Sequence, residues 1–270
     1  MALPRRNQTK RARVLQQLVE KIRYRLRQYW QNLRVALATK HVSGPGTVTL
    51  ADDEVALICL LKDGAYYLPH MLEHHRAIGV RHFVFIDNGS TDATREILAA
   101  EPDVTVYENT LPVKNYECLQ RAKTARKAVS GGWFLFVDTD ELAEMSRGEG
   151  RPISEYAAYC NAHGYDAVIG QVLDMFSDVS LRESADWDYA RSTAAFDLYG
   201  LNHIKRFDYG DEDEAAGGFA WYMRNNRVSN PEIKFMFGGM RNEVFGENCC
   251  LTTHRMVRNM PHIELYSHPH

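Results

Sequence analysis

The chain has 270 residues, 45% hydrophobic and 25% charged, the composition of a globular protein able to bury one large core. Five scattered cysteines (Cys59, Cys118, Cys160, Cys249, Cys250) leave no room for a disulfide framework or a zinc-type cysteine spacing, and favour a reducing compartment. The net charge of −3 conceals an asymmetry: residues 1–40 carry eleven Lys/Arg against Glu20 alone, a net of +10, and the remainder carries −13.

In the basic segment Val14, Leu15, Leu18, Val19, Ile22, Leu26, Leu33 and Leu37 recur near helical spacing, with Tyr29 and Trp30 beside them. Arg11, Arg13, Lys21, Arg23, Arg25, Arg27 and Arg34 lie between, so residues 11–37 read as a basic amphipathic helix. An anionic membrane surface suits it, as does the acidic remainder of a neighbouring subunit; the plain alternative is a solvated helix packed on its own domain. Basic charge confined to one terminal helix argues against nucleic acid. The charged N-terminus is no secretory signal, and no apolar run reaches membrane length. A cytoplasmic protein, peripheral at the inner face of the membrane, is expected. Residues 41–54, which include Ser43-Gly44-Pro45-Gly46, read as a linker.

Next comes a strand over 55–61, a helix over about 67–78 ending at Gly79, and a strand over 82–86. The following loop is Asp87-Asn88-Gly89-Ser90-Thr91-Asp92-Ala93-Thr94, in which Ser90 or Thr91 can cap a helix starting near Asp92. A strand over 104–107, a helix over 116–128 and the apolar strand 133–137 follow. This alternation predicts an α/β fold with a doubly wound, mostly parallel sheet. Asp138-Thr139-Asp140-Glu141 leaves the carboxyl end of the last strand, where open α/β sheets bind ligands. Alternate residues of an extended chain share a side, so Asp138 and Asp140 are expected to converge on one hard cation, Mg²⁺ or Mn²⁺. Such an ion commonly holds a diphosphate, which suggests a nucleotide-sugar; the plain alternative is an acidic turn capping the next helix.

The loop from Asp87 to Thr94 resembles the Asp-(Asp/Asn)-x-Ser-Thr-Asp-x-Thr loop of bacterial family-2-like glycosyltransferases with the GT-A fold. Lys62-Asp63-Gly64, His75 and Gly79, then Cys118-Leu119, Arg121, Trp133 and Asp138-Thr139-Asp140-Glu141, keep that family's order. Leu173-Asp174-Met175-Phe176-Ser177, Phe196-Asp197, Gly238-Gly239-Met240-Arg241 and Phe245-Gly246 are similar to later landmarks, so the resemblance spans roughly 55–268. It implies a GT-A domain over 55–270, with a nucleotide-binding half (55–145) and an acceptor-side half (146–270), behind a helical extension (1–40). It further implies a metal-dependent transferase moving a sugar, with inversion, from a UDP-sugar to a glycan or lipid-linked acceptor. Lys62, Asp87, Asn88, Asp138 and Arg241 are the expected nucleotide contacts. Asp138, Asp140 and the late His268 are the expected ligands of Mn²⁺ or Mg²⁺, with His270 and His262 as substitutes for His268. The chain departs from the family at Gly64, where a Glu is usual, and at Thr253-His254-Arg255-Met256-Val257 and Tyr266-Ser267-His268-Pro269-His270.

An inverting transferase needs a carboxylate to take the acceptor proton. A core strand is expected near 166–174, and Asp174 at its end is the first candidate base, Asp178 the second. Arg241 can read phosphate bidentately or form a structural salt bridge. His70-Met71-Leu72-Glu73-His74 also spells the inverted zincin motif, with Glu149 as a distant third ligand, which leaves a zinc peptidase as a lesser alternative. No nucleophile elbow, P-loop or Rossmann glycine fingerprint is present. Asp211-Glu212-Asp213-Glu214 reads as a solvated loop. A catalytically inactive GT-A-like scaffold is the binding-protein alternative.

Overall fold

The computed structural model describes residues 5–145, 150–208, 232–263 and 265, with side chains from residue 19 onward. The chain opens with α1 (Arg5–Ala38), then β1 (Lys40–Ser43) and β2 (Val48–Thr49). The regular alternation is β3 (Val55–Leu61), α2 (Leu68–Ala77), β4 (His82–Asp87), α3 (Thr94–Ala99), β5 (Val104–Glu108), α4 (Val113–Ala128), β6 (Val129–Ser130) and β7 (Trp133–Phe136). The second half holds α5 (Ile153–His163), β8 (Ala167–Gln171), β9 (Met175–Phe176), α6 (Tyr189–Ala195), β10 (Leu198–Tyr199), β11 (Ile204–Asp208), β12 (Lys234–Gly238), α7 (Met240–Phe245) and β13 (Thr252–Arg258).

Seven strands form one mixed, mostly parallel sheet in the order β1-β5-β4-β3-β7-β13-β8, flanked by helices. β5, β4, β3 and β7 run parallel, while β13 lies antiparallel between β7 and β8. The chain steps outward from β3 through β4 to β5 and then returns to place β7 on the other side of β3. The order therefore reverses between β3 and β7, the position where open α/β sheets gather ligands.

Every residue of β3 and β4 is buried, because helices cover both faces of a parallel sheet. Leu57, Cys59, Phe83, Phe85, Trp133 and Leu135 meet Leu68, Met71 and Leu72 of α2 and Ile153 and Ala157 of α5. On the other face Ala56, Ile58, Val84, Ile86, Phe134 and Phe136 pack with Ala125 and Ala128 of α4.

Three details differ from the sequence reading. Residues 41–54 are no free linker: β1 pairs with β5, Lys40 opposite Glu108, and β2 pairs with β6. Thr105 Oγ1 and Tyr107 Oη donate to the carbonyls of Pro45 and Gly46, both at 2.8 Å, which ties the Gly-Pro-Gly turn down. The strand near Asp166 is β8, a half-buried outer strand rather than a core one. Neither Ser90 nor Thr91 caps α3; Asp92 Oδ1 accepts from the backbone N–H of Thr94 at 3.0 Å. The acidic run at 211–214 lies outside the described residues.

Candidate functional site

A cleft of about 350 Å³ opens at the point where the strand order reverses. Its walls are Leu60, Leu61 and Lys62 from the end of β3, Asn88 after β4, Asp138 after β7, and Val113, Glu117 and Arg121 from α4. Three expected nucleotide contacts, Lys62, Asn88 and Asp138, are thus brought to one place from three strand ends.

The loops that carry them are bonded to one another. Backbone N–H groups of Asp63, Gly64 and Ala65 donate to Ser90 Oγ (2.9 Å), Thr94 Oγ1 (2.8 Å) and Asp92 Oδ2 (3.0 Å). Asp63 Oδ1 in turn accepts from the Thr91 N–H at 2.6 Å. The polar residues of the Ser-Thr-Asp-x-Thr loop therefore satisfy the backbone that follows β3, which would otherwise lose hydrogen bonds on burial. Burial opposes the charge on Asp92, but hydrogen bonds from Thr94 and Ala65 win and hold its carboxyl below the ordinary value.

Asp87 is wholly buried; its Oδ1 accepts from the Ser90 N–H at 2.8 Å and its Oδ2 from Arg95. Arg95 also binds Glu108 at 2.7 Å. In this arrangement Asp87 shapes the loop and, unlike Lys62, Asn88 and Asp138, is not among the residues that line the cleft. Asn88 Nδ2 donates to the carbonyls of Asn109 (2.6 Å) and Leu111 (2.9 Å), fixing the cleft wall.

The acidic motif is a turn. β7 stops at Phe136, the Glu141 N–H donates to the Asp138 carbonyl at 3.1 Å, and Glu141 Oε2 accepts from the Asp138 N–H at 2.8 Å. Arg255 holds the other Glu141 oxygen at 2.5 Å. The two-residue repeat of an extended chain therefore does not apply, and Asp138 and Asp140 meet different neighbours. Asp138 pairs with Arg121. Asp140 is exposed; its carbonyl accepts from Tyr189 Oη at 2.8 Å. Burial, then the nearby Asp140 charge, pushes the Tyr67 and Tyr189 hydroxyls up.

Arg121 and Glu117 carry weight that the sequence reading did not assign. Arg121 is 4% exposed, contacts Glu117 Oε1 at 3.1 Å and keeps a buried Nε–H without a partner among the described residues. The signal was available as an (i, i+4) acid–base pair on the helix that leads to the acidic strand.

Asp174 and Arg241 meet each other, Arg241 Nε donating to Asp174 Oδ2 at 3.0 Å. Because β13 is antiparallel to both β7 and β8, those two strands are mutually parallel, and Asp174 follows β8 on the same sheet edge as the cleft. Arg241 here takes the salt-bridge alternative; its guanidinium is engaged by a carboxylate. His262 follows β13 at the opposite edge, since Arg258 sits opposite Trp133 at the start of β7. It is removed as a metal ligand for this cleft. His268 and His270 lie outside the described residues.

The zincin spelling is spent on structure. His70 Nε2 lies 3.1 Å from Thr193 Oγ1, His74 Nε2 donates to the Ala143 carbonyl at 2.9 Å, and Glu73 is exposed. Glu149 lies outside the described residues. Among the described residues no three His, Cys, Asp or Glu side chains come together as a metal-holding group. That leaves room for the Mg²⁺-type arrangement, in which one or two carboxylates and the substrate's phosphates share the ion. Asp138 and Asp140 supply oxygen donors from one turn at this edge, Asp138 on Arg121 and Asp140 exposed. No protein-family model matches the chain, and no curated protein matches it.

Proposed function

We propose that the chain is a metal-dependent glycosyltransferase of GT-A type that moves a sugar from a UDP-sugar to a hydroxyl of a glycan or lipid-linked acceptor. One observation carries this reading: Lys62, Asn88 and Asp138 line a single cleft at the reversal of strand order, with Arg121 as a second cation. A diphosphate is what such a cleft suits. Lys62 supplies a point charge, and the spare Nε–H of Arg121 supplies a buried donor. The residue-by-residue likeness to family-2-like transferases agrees with this placement.

Asp138 and Asp140 would hold Mn²⁺ or Mg²⁺, which when bound neutralises charge on the departing nucleoside diphosphate. Asp174 is the base. As the acceptor oxygen attacks the anomeric carbon, its proton passes to the Asp174 carboxylate while the bond from that carbon to the diphosphate oxygen breaks. Arg241, 3.0 Å away, holds the Asp174 carboxylate in place through Oδ2 and leaves Oδ1 for the acceptor proton.

The two Arg–Asp pairs also favour a second reading, a catalytically inactive scaffold in which Arg121 and Arg241 permanently neutralise Asp138 and Asp174. Release of UDP from a panel of UDP-sugars, with Mn²⁺ or with chelator, separates the two. The transferase reading expects Mn²⁺-dependent release that falls about 100-fold in Asp174→Asn, with UDP binding unchanged. UDP binding without release from any donor, in the presence of candidate acceptors, would favour the scaffold.

A further inference from the structure

α1 meets its domain only toward its end: every residue from 19 to 27 is exposed, Gln28, Gln31, Asn32, Leu33 and Ala38 are half-buried, and Val35 and Thr39 are buried. The Val35 carbonyl and Thr39 Oγ1 accept from Asn109 Nδ2 at 3.3 and 2.8 Å. Val19, Ile22, Leu26, Trp30 and Leu37 fall within about 80° of one another at ~100° per residue and are exposed, while Leu33 on the same face is half-buried. Leu26 is 54% and Trp30 59% exposed. A surface helix normally turns its apolar stripe toward the core, so packing on its own domain does not explain this stripe.

We propose that this outward face seats α1 on an anionic lipid surface. Charge complementarity selects that occupant. Arg23, Arg27 and Arg34 border the stripe on one side and Lys21 and Arg25 on the other, and residues 5–38 carry ten Lys/Arg against one acid. Two copies meeting on this face would bring like charges together, whereas anionic headgroups neutralise them while the stripe enters the acyl boundary. Tyr29 and Trp30, edge to face at 6.0 Å, place amphipathic rings at the same level. Among the described residues no helix is long and apolar enough to cross a membrane, so α1 lies in the interface plane.

The helix also ends at the cleft's edge of the sheet. Lys40, just after α1, pairs with Glu108 at the carboxyl end of β5. Asn109, which grips the helix end, accepts at its carbonyl from Asn88 of the cleft wall. Seating α1 on lipid thus brings the cleft to the bilayer, and this holds whatever the cleft binds.

Flotation of the full chain tests it, using phosphatidylcholine vesicles with and without phosphatidylglycerol. The wild type floats only with the anionic vesicles, and Leu26→Asp/Trp30→Asp lowers partition about tenfold or more, with an unchanged melting transition because both residues are exposed. Wild-type protein that stays at the bottom with anionic vesicles, or a double variant that floats equally well, overturns the proposal. A wild-type dimer that the double variant dissolves, without vesicle binding, assigns the stripe to a second copy instead.

Discussion

Residues 55–145 and 150–265 build their parts of the ligand edge by different means. In the first, β3 and β4 are buried at every position and the loops after them are bonded to each other. In the second, β10 is exposed at both residues, and α6 and α7 bury none of theirs. The β3–β4 side of the cleft is therefore a preorganised platform. The side that carries Asp174 follows β8, an edge strand of the central sheet, and is completed by a half-exposed ion pair and small two-stranded sheets. Residues on such a surface can vary without disturbing the core.

The largest effect that separates the regions is a core truncation. Phe85→Ala is expected to cost about 3–5 kcal/mol, and Leu198→Ala, 44% exposed in β10, less than about 0.5 kcal/mol. Denaturant unfolding reads both, and equal losses would break the comparison. Next in size are the two arginines. Arg121→Met strands Asp138 and Glu117 beside a buried site and is expected to cost about 3 kcal/mol. Arg241→Met, at a half-exposed pair, is expected to cost no more than about 1 kcal/mol.

A pH scan sharpens the contrast further. His75 is fully buried in the first region; its Nδ1–H donates to the Met71 carbonyl at 2.8 Å and its Nε2 accepts from the Ala143 N–H at 3.3 Å. Burial pushes its pKa down from 6.5 to about 4. The unfolded chain thus binds a proton that the folded chain refuses, so stability falls as pH drops from about 6.5 to about 4. The loss is expected to reach about 2–3 kcal/mol, and His75→Gln should flatten it. The smallest effect is at Gly64. An added Cβ there would sit 3.4 Å from Thr139 Cγ2, an ordinary contact. Gly64→Ala is therefore expected to shift stability by less than about 0.5 kcal/mol; a larger loss would mean that the position tolerates no side chain.

The first region was legible because its strands are continuous apolar runs punctuated by Gly79 and by acidic loops, signals that survive without tertiary context. Lys62, Asn88 and Asp138 were legible for the same reason, since strand ends at a reversal of order share one edge. Residues 40–49 were not. Lys40 and His41 are polar, and only pairing with Glu108 and Tyr107 makes them a strand. The turn at Asp138 was open to the sequence as an alternative, but not its closure by Glu141, which Arg255 holds from far along the chain. Arg241 and Asp174 are likewise joined only by the fold. The helical spacing of residues 11–37 was visible, but which side of α1 faces the domain was not.

The central claim is that the cleft between the ends of β3 and β7 is a metal-assisted nucleotide site. Calorimetric titration of UDP with Mn²⁺, and again with chelator, against wild type and Asp140→Ala tests it most directly. The Asp140 side chain is exposed, and an unchanged melting transition confirms that the variant keeps its fold. Binding that requires Mn²⁺ and weakens at least about tenfold in the variant is the expected result. UDP binding that is indifferent to chelator and to Asp140→Ala, or no binding at all, would contradict it.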